Sequence, residues 1–536
     1  MLGHVFFIRG DITQLACDAW LLPTSRRITL TDTWKSRHPE LMELRLLCNP
    51  SREWRSGDER VMPVTCWPKQ KPMPWFVNVG GHEGKEAGWY VEGVRQFFDK
   101  VIPAVKSQGK RFLENRSKPL IALPLVGTGR GGGIKRAGEI LSCLLPELYK
   151  AADEVDIALV LNNEQAYAAA VAERKKHDFV NVAWPTSLSE KWREKAKYLA
   201  NLAAINELVL FIGAGVSASA GLPDWAGLIR KLAEESGVFR NCEESTEYIK
   251  EGFFNLDPKD QARVISQHLE DTGRTLGVEV AKLFAAHQYY SLSHAILAAL
   301  PVKEVVTTNY DCLYEKASKD AQGVAPRVLP HDPENPGSRW ILKLHGCVSC
   351  PEQIVLTRSD YLRYSDTRAA LKGIVQALLI TRHMLFVGFS LNDDNFHSII
   401  DDVRKSIRNV NGETQHQLRQ GHQFSTALGL ARNPFVERLW KEDVDWVTFQ
   451  SDEVTEQKEA ARLLEIFLDY LASECATSAP YLLDNRFDGV LSEEEKKLRE
   501  ALLNFINGAC TIDSIKETTV WHEIELFIQR LGGKVV

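Results

Sequence analysis

The amino-acid sequence predicts an α/β protein: two α/β domains in series, the second built on a parallel sheet with a helical cap, and then a helical tail. Three observations carry that prediction. Short, unbroken apolar runs alternate with segments of helical period from His4 to Lys176 and again from Leu208 to Phe449. That is the pattern of strands buried on both faces and joined by helices. Two of the runs, Leu120–Val126 and Leu208–Phe211, open into glycine-rich turns that lead into helices. After residue 453 the strands stop, and Ala460–Ser473, Ser492–Asn507 and Val520–Leu531 carry only amphipathic spacing.

A chain of 536 residues exceeds what one hydrophobic core serves. Domains are expected at 1–178, 190–452 and 453–536, with a connector over 179–189. At 44% hydrophobic and 25% charged residues the composition is that of a globular protein, and a net charge of −6 gives no basis for a nucleic-acid partner. Ten cysteines are scattered along the chain, with only Cys347 and Cys350 close together. This excludes a disulfide scaffold and fits a reducing compartment. MLGHVFFIRGD lacks the parts of a signal peptide. The most apolar window, 202–222, holds Asn206 and Glu207 and breaks into glycines, so no membrane span is expected. The expected location is the cytoplasm.

In chain order, His4–Ile8 is an apolar run followed by Gly10-Asp11-Ile12-Thr13, and Asp18–Leu22 is a second, followed by Pro23-Thr24-Ser25. Residues 26–58 are charged and irregular, with a helical flavour near Glu40–Leu47. Glu59–Cys66 and Trp75–Val79 read as strands, Ala87 to about Val105 as a helix, and Leu120–Val126 as a buried strand. Gly127–Gly133 places five glycines in seven residues between that strand and a helix through Tyr149. Such a loop either cradles a phosphate or is a flexible surface turn. Val155–Leu161 and Glu164–Lys176 complete the domain as strand and helix.

GDITQLACDAWLLPTS, PWFVNVGG and PLIALPLVGTGRGGG, in that order, resemble the motifs of a macro domain. The resemblance implies that Asp11 meets an adenine-like base. It implies that Gly127, Thr128, Gly129, Arg130 and Gly131 wrap a distal phosphate or ribose. Where macro domains carry NAAN asparagines this chain has Leu22-Pro23-Thr24-Ser25. The implied role is therefore binding of a nucleotide-like signal, such as an ADP-ribose derivative, rather than hydrolysis of ADP-ribose adducts.

A helix capped by Thr186 or Ser187 leads into Leu208–Phe211. Gly213-Ala214-Gly215 gives a tight turn, with Ser217, Ser219 and Gly221 at a helix start. The arrangement suits a pyrophosphate at a positive helix end, or only close packing. Pro223-Asp224-Trp225 opens a mostly helical stretch to Leu300, whose His268, His287 and His294 read as surface or packing residues. Val305–Thr308 ends in Asn309-Tyr310-Asp311, Ile341–Leu344 in His345-Gly346, and Met384–Val387 in Gly388-Phe389-Ser390-Leu391-Asn392-Asp393. Asp445–Phe449 is the last expected strand. Polar groups at the carboxyl ends of parallel strands face a ligand crevice, although Asn and Asp also serve turns. A histidine in that place is positioned to act as a base.

GAGVSASAGLPDW, TTNYD, LHG and VGFSLNDDNF occur in the order and spacing of the sirtuin family, over about residues 190–452. That resemblance implies a Rossmann-like domain with NAD as substrate. Gly213, Ala214, Gly215 and Ser217 would hold the pyrophosphate, and Asp224 would lie in a loop closing over NAD. Asn309 and Asp311 would line the nicotinamide-ribose pocket, with Gly388 and Ser390 beside the adenosine. Asn309 and His345 are the implied catalytic pair.

Protein-deacylating sirtuins carry two CxxC pairs after LHG. Here Cys347-Val348-Ser349-Cys350 is one pair and the next cysteine is Cys475, so no zinc is expected. The sequence is similar to zinc-free sirtuin-like effectors of bacterial antiphage defence, which hydrolyse NAD. With its macro-like module it resembles the Thoeris type, in which a nucleotide signal switches on NAD destruction. A homo-oligomer is expected with it. Two alternatives stay open: an NAD-dependent protein deacylase or ADP-ribosyltransferase, and a non-catalytic NAD or ADP-ribose sensor.

Overall fold

The computed structural model describes residues 2–31, 34, 41, 43–44, 48–176, 183–239, 246–334, 338–411, 424–451 and 454–533. The expected helical flavour near Glu40–Leu47, and the start of the expected connector, fall largely outside these residues. Contacts divide the chain into two compact units, one of residues 1–193 with 466–536 and the other of residues 194–465.

The first unit holds a six-stranded sheet of β1 (Val5–Arg9), β2 (Ala19–Thr24), β3 (Val61–Pro63), β4 (Met73–Asn78), β5 (Leu120–Pro124) and β6 (Asp156–Leu161). The spatial order is β1-β6-β5-β2-β4-β3. Every neighbouring pair is parallel except β3 with β4. Helices Ala87–Ser107, Ala137–Ala151 and Glu164–Arg174 follow β4, β5 and β6. Their apolar faces and the sheet close one core.

The C-terminal helices do not form a region of their own, as the sequence led us to expect. Tyr481, Leu482, Phe487, Val490 and Leu491 enter the same buried cluster as Val5, Leu21, Phe97 and Leu141. A buried charge fixes the join. Asp469, on the helix Gln457–Cys475, receives Arg174 in a two-pronged pair at 2.8 and 3.2 Å and lies 2.8 Å from His4 Nε2. The Arg174 guanidinium lies 4.1 Å from the centre of the Phe7 ring and 4.4 Å from that of Trp184. Burial opposes the Asp469 charge, but Arg174 and His4 outweigh it and hold the carboxyl below its ordinary range. Helical period alone carries no sign of such a long-range ion pair.

The second unit is a doubly wound, all-parallel sheet of seven strands. They are β7 (Leu208–Ile212), β8 (Glu304–Thr307), β9 (Arg327–Leu329), β10 (Trp340–Lys343), β11 (His383–Val387), β12 (Ser425–Gly429) and β13 (Val444–Thr448). They lie in the order β13-β12-β11-β7-β8-β10-β9. β7 and β11 are buried at every position, which is why they stand out as apolar runs. The sequence reading missed β9, a short half-buried strand at the sheet edge, and β12, whose Ser-Thr-Ala-Leu-Gly has no apolar run. Between β7 and β8 the cap is helical: Trp225–Ser236, Thr246–Phe254, Pro258–Asp271, Leu276–Ala285 and Leu292–Ala299. Asp224, Asp257 and Ser291 cap three of these with side-chain oxygens on backbone N–H groups. Among the described residues, no helix is long and apolar enough to cross a membrane.

Candidate functional site

β7 lies between β8 and β11. The chain passes from β7 to β8 on one side and reaches β11 on the other only after β9 and β10. This is a topological switch point, where open parallel sheets bind ligands beyond the carboxyl ends of their strands. Gly213 follows β7, Asn309 lies just after β8, His345 just after β10, and Gly388 directly after β11.

The glycines are needed for backbone contact. A Cβ on Gly213 would come within 2.4 Å of the Gly388 carbonyl oxygen, and one on Gly215 within 2.8 Å of Gly388 Cα. Gly388 itself has φ +65°, and a Cβ there would lie 2.5 Å from Val216 N. The N–H groups of Gly213 and Gly215 donate to the carbonyls of Val387 and Gly388, both at 2.9 Å. Those two donors are thus committed within the protein, and the helix behind them, Ala214–Ala218, is one short turn. Of the two readings the sequence left open, a pyrophosphate at a positive helix end or close packing, these contacts are close packing. The glycines bring two strand ends together, and Ala214 sits half-buried between them.

Ser217 is the hub of the polar network. Its hydroxyl donates to Asp311 Oδ2 at 2.8 Å and accepts from Asn309 Nδ2 at 3.1 Å. His294 Nε2 lies 3.3 Å from the same oxygen. The Ser291 N–H donates to His294 Nδ1 at 3.2 Å, which leaves the ring proton on Nε2, directed at Ser217. Burial pushes His294 down to about 4, so the ring is neutral. With one proton given and two lone pairs filled, the Ser217 hydroxyl is fully engaged inside the protein rather than free for a phosphate. Asp311 is engaged too, since Oδ1 accepts the Leu313 N–H at 3.0 Å.

Asn309 differs. Its Nδ2 also donates to the Gly213 carbonyl at 3.0 Å, which fixes the amide plane, yet its Oδ1 is buried without a hydrogen-bond partner among the described residues. An orphaned buried acceptor held in a rigid frame is costly unless a ligand or water satisfies it.

His345 is 2% exposed. Its Nε2 lies 3.4 Å from Asn395 Nδ2 and 3.6 Å from Asp393 Oδ2, and its ring meets the edges of Tyr361 and Tyr364. Burial pushes its pKa below the ordinary histidine value despite Asp393. The imidazole is thus neutral and able to accept a proton. Asp393 is itself held by the Tyr361 hydroxyl at 3.1 Å. Leu391, buried at φ +58°, marks local backbone strain beside these residues. Ser390 is exposed, and Asp224 is an exposed helix cap that accepts the Gly227 N–H at 2.8 Å.

Sequence reasoning missed two groups. His294 occupies the third helical position after Ser291, where its ring completes a capping box, a spacing visible in Ser291-Leu292-Ser293-His294. Lys343 is a lysine inside a buried strand. Its ammonium reaches the Asp311 carbonyl, lies 3.4 Å from the Asn309 carbonyl, and pairs with Glu315 at 2.7 Å. Burial alone would lower it, but Glu315 and its other neighbours outweigh burial and hold it above the ordinary lysine range. Cys347 and Cys350 pair through their backbones across a turn, the Cys350 N–H donating to the Cys347 carbonyl at 2.9 Å. Among the described residues, the metal-type donors that come together are Cys312, Glu315 and Cys347, within 4.8 Å of one another.

A second site lies in the first unit. A cleft of about 600 Å³ is lined by residues at the carboxyl ends of all five mutually parallel strands: Asp11 after β1, Thr24 of β2, Val79 after β4, Gly127–Gly131 after β5 and Asn162 after β6. Asp11 is 7% exposed and accepts from Thr13 N at 3.0 Å and Thr13 Oγ1 at 2.8 Å. Gly127, at φ +78°, has the Tyr90 ring 2.5 Å from where its Cβ would stand, and the Tyr90 hydroxyl donates to the Gly131 carbonyl at 2.6 Å. Thr128 Oγ1 donates to the Leu125 carbonyl at 2.8 Å. Among the described residues, no backbone carbonyl takes the N–H groups of Thr128 or Gly129. Arg130 is exposed. Arg486 and Phe487 complete the wall. They come from the C-terminal region, which the sequence marked only by amphipathic spacing.

Residues 303–443, which run from the start of β8 to just before β13, match the family model of a SIR2-like domain. The chain is 32% identical over 205 residues to NAD(+) hydrolase ThsA of Enterococcus faecium, covering 37% of this chain and 40% of that protein. It is 29% identical over 201 residues to NAD(+) hydrolase ThsA of Bacillus cereus (strain MSX-D12), covering 37% and 40%. It is 27% identical over 208 residues to Defense-associated sirtuin 2 of Bacillus subtilis, covering 37% of this chain and 19% of that protein. The match spans about two fifths of the length of the curated ThsA relatives.

Proposed function

We propose that the unit 194–465 cleaves NAD to nicotinamide and ADP-ribose, open or cyclic, as an effector of antiphage defence. In this reading the cleft of the other unit binds a nucleotide-derived signal that switches cleavage on. The observation that carries the catalytic part is Asn309, with its amide nitrogen anchored twice and its buried carbonyl oxygen free. The partial similarity to two NAD(+) hydrolases and to a defence-associated sirtuin supports the same reading.

Nicotinamide leaves NAD as a neutral molecule, so the enzyme's task is to hold the ribose, tolerate positive charge at the anomeric carbon, and admit water. Asn309 Oδ1 accepts a hydrogen bond from that water or from a ribose hydroxyl. His345, neutral in its buried setting, takes the proton. Gly213, Gly215 and Gly388 let the ends of β7 and β11 close against each other beside Asn309, and so fix the frame in which its amide is held. Ser217 and Asp311 act as positioning residues for Asn309. This chemistry calls for no zinc.

For the signal, a nucleotide's phosphate fits the free N–H groups of Thr128 and Gly129, and its base fits near Asp11. Gating requires that the ligand favour the active state, since equal affinity for both states shifts nothing. Gly129 is the clean probe. Its Cβ direction is open, whereas Gly127 and Gly132 have positive φ and Gly131 is tightly packed. A valine at 129 therefore adds bulk to the lining of the cleft without the backbone strain that a substitution at Gly127 or Gly132 would bring.

The test measures nicotinamide release from NAD by the full chain, with and without extract of phage-infected cells, at two protein concentrations to reveal assembly. Expected are release without any acyl peptide, its loss in Asn309→Ala, and loss of activation alone in Gly129→Val. Dependence on an acyl peptide would replace this reading with the deacylase one. Full activation of Gly129→Val would remove the cleft as sensor.

A further inference from the structure

Cys312 follows Asp311 after β8, and Cys347 follows the His345-Gly346 turn after β10. Their sulfurs lie 3.4 Å apart. Cys312 is exposed and Cys347 is buried. Ser349 Oγ donates to Cys347 Sγ at 3.1 Å. The hydrogen bond from Cys312, together with Lys343 and Ser349, holds the Cys347 thiol well below the ordinary thiol range, against the opposing effect of burial. The thiolate is the reactive form of cysteine.

We propose that Cys312 and Cys347 are a peroxide-responsive dithiol that closes to a disulfide between the loops carrying Asp311 and His345. The Cys347 thiolate attacks one oxygen of hydrogen peroxide. The O–O bond breaks, the sulfur becomes a sulfenic acid, and the departing hydroxide takes up a proton to give water. The Cys312 thiol then attacks that sulfur, and the displaced oxygen leaves with the thiol proton as a second water. Two electrons pass from the sulfurs to the peroxide, and a dithiol reductant restores them. Sulfurs 3.4 Å apart need to approach by only roughly 1.4 Å to reach bonding distance. The competing use of the cluster is a metal site. Its third donor, Glu315, already pairs with Lys343 at 2.7 Å, so a cation there would face that ammonium.

The chain contains its own control. Cys48 and Cys66 have sulfurs 2.8 Å apart, but burial pushes the Cys48 thiol up to about 12. Reduced full-length protein is exposed to hydrogen peroxide for graded times, the remaining thiols are alkylated, and the chain is digested without reductant for mass spectrometry. We expect a Cys312–Cys347 linked peptide, lighter by two hydrogens, to form at least about tenfold faster than a Cys48–Cys66 one. It should vanish on treatment with dithiothreitol. Formation no faster than the control pair, a Cys347–Cys350 link in its place, over-oxidation without a link, or stoichiometric zinc on the untreated protein would each overturn the proposal.

Discussion

Replacing Ser217 by alanine tests the network at its hub. The change removes one acceptor from Asn309 and from His294, and one donor from Asp311, in a site where Ser217 is 2% exposed. The bond to the Asp311 carboxylate is worth about 1.5–3 kcal/mol and each of the others about 1 kcal/mol. The three share one oxygen and are not additive, so about 3 kcal/mol is the expected loss. In a unit spanning residues 194–465, that lowers the melting temperature by roughly 5–10 °C. Asn309 keeps its bond to the Gly213 carbonyl but loses its second anchor. NAD cleavage should therefore fall further than stability alone explains. Ser219→Ala is the control, because that hydroxyl only donates to the Val216 carbonyl within its own turn. Calorimetry and nicotinamide release on both variants decide the matter. If Ser217→Ala behaves like Ser219→Ala in both assays, the network does not hold Asn309, and the reasoning fails.

Three further outcomes are expected. Lys343→Met leaves Glu315 buried beside no cation and should cost about 3–5 kcal/mol in urea unfolding, with partial recovery in Lys343→Met/Glu315→Gln; a double variant no better than the single one would contradict this. Gly388→Ala should lower the melting point far more than Gly323→Ala, since both have positive φ but only the first puts a Cβ on a backbone atom, 2.5 Å away; equal losses would remove the close-packing argument. Finally, His294 titrates near 6.5 unfolded and about 4 folded, so the unfolded chain binds the extra proton between those values. Stability should therefore fall as pH drops from 6.5 toward 4, by up to about 3 kcal/mol, with no contribution above pH 7. Urea midpoints that fall as steeply with pH in His294→Gln as in the parent would refute it.

The parallel strands were legible because burial on both faces leaves apolar runs that nothing else in the chain imitates. Asn309, His345 and Gly388 were legible because a strand end is where a switch-point crevice lies. β12 was not, because its buried Ser425 and Thr426 have hydroxyls paired inside the protein, with the Asp443 carbonyl and with His383, so burial there leaves no apolar run. Ser217 and Asp311 show what a motif leaves open, since both are hydrogen-bonded to neighbours that the spacing does not reveal. A motif says which residues meet, and only the count of donors and acceptors says whether a side chain has anything left for a ligand. Lys343, Arg486 and Phe487 escaped because their partners lie far away in sequence or belong to no motif.

The pairing of Arg174 with Asp469 also sets a timetable. The two residues are 295 positions apart, and the ribosome makes everything between them before it supplies the carboxylate. At ordinary rates of synthesis that interval is roughly 15–60 s, during which the guanidinium has no Asp469 to meet. All of residues 194–465 emerge within it, so the unit that lies second in the chain is the first whose sequence is complete. The unit that holds the six-stranded sheet is completed only afterwards, when Asp469, and then Arg486 and Phe487 at the wall of its cleft, arrive. Birth order here runs from the inside outward.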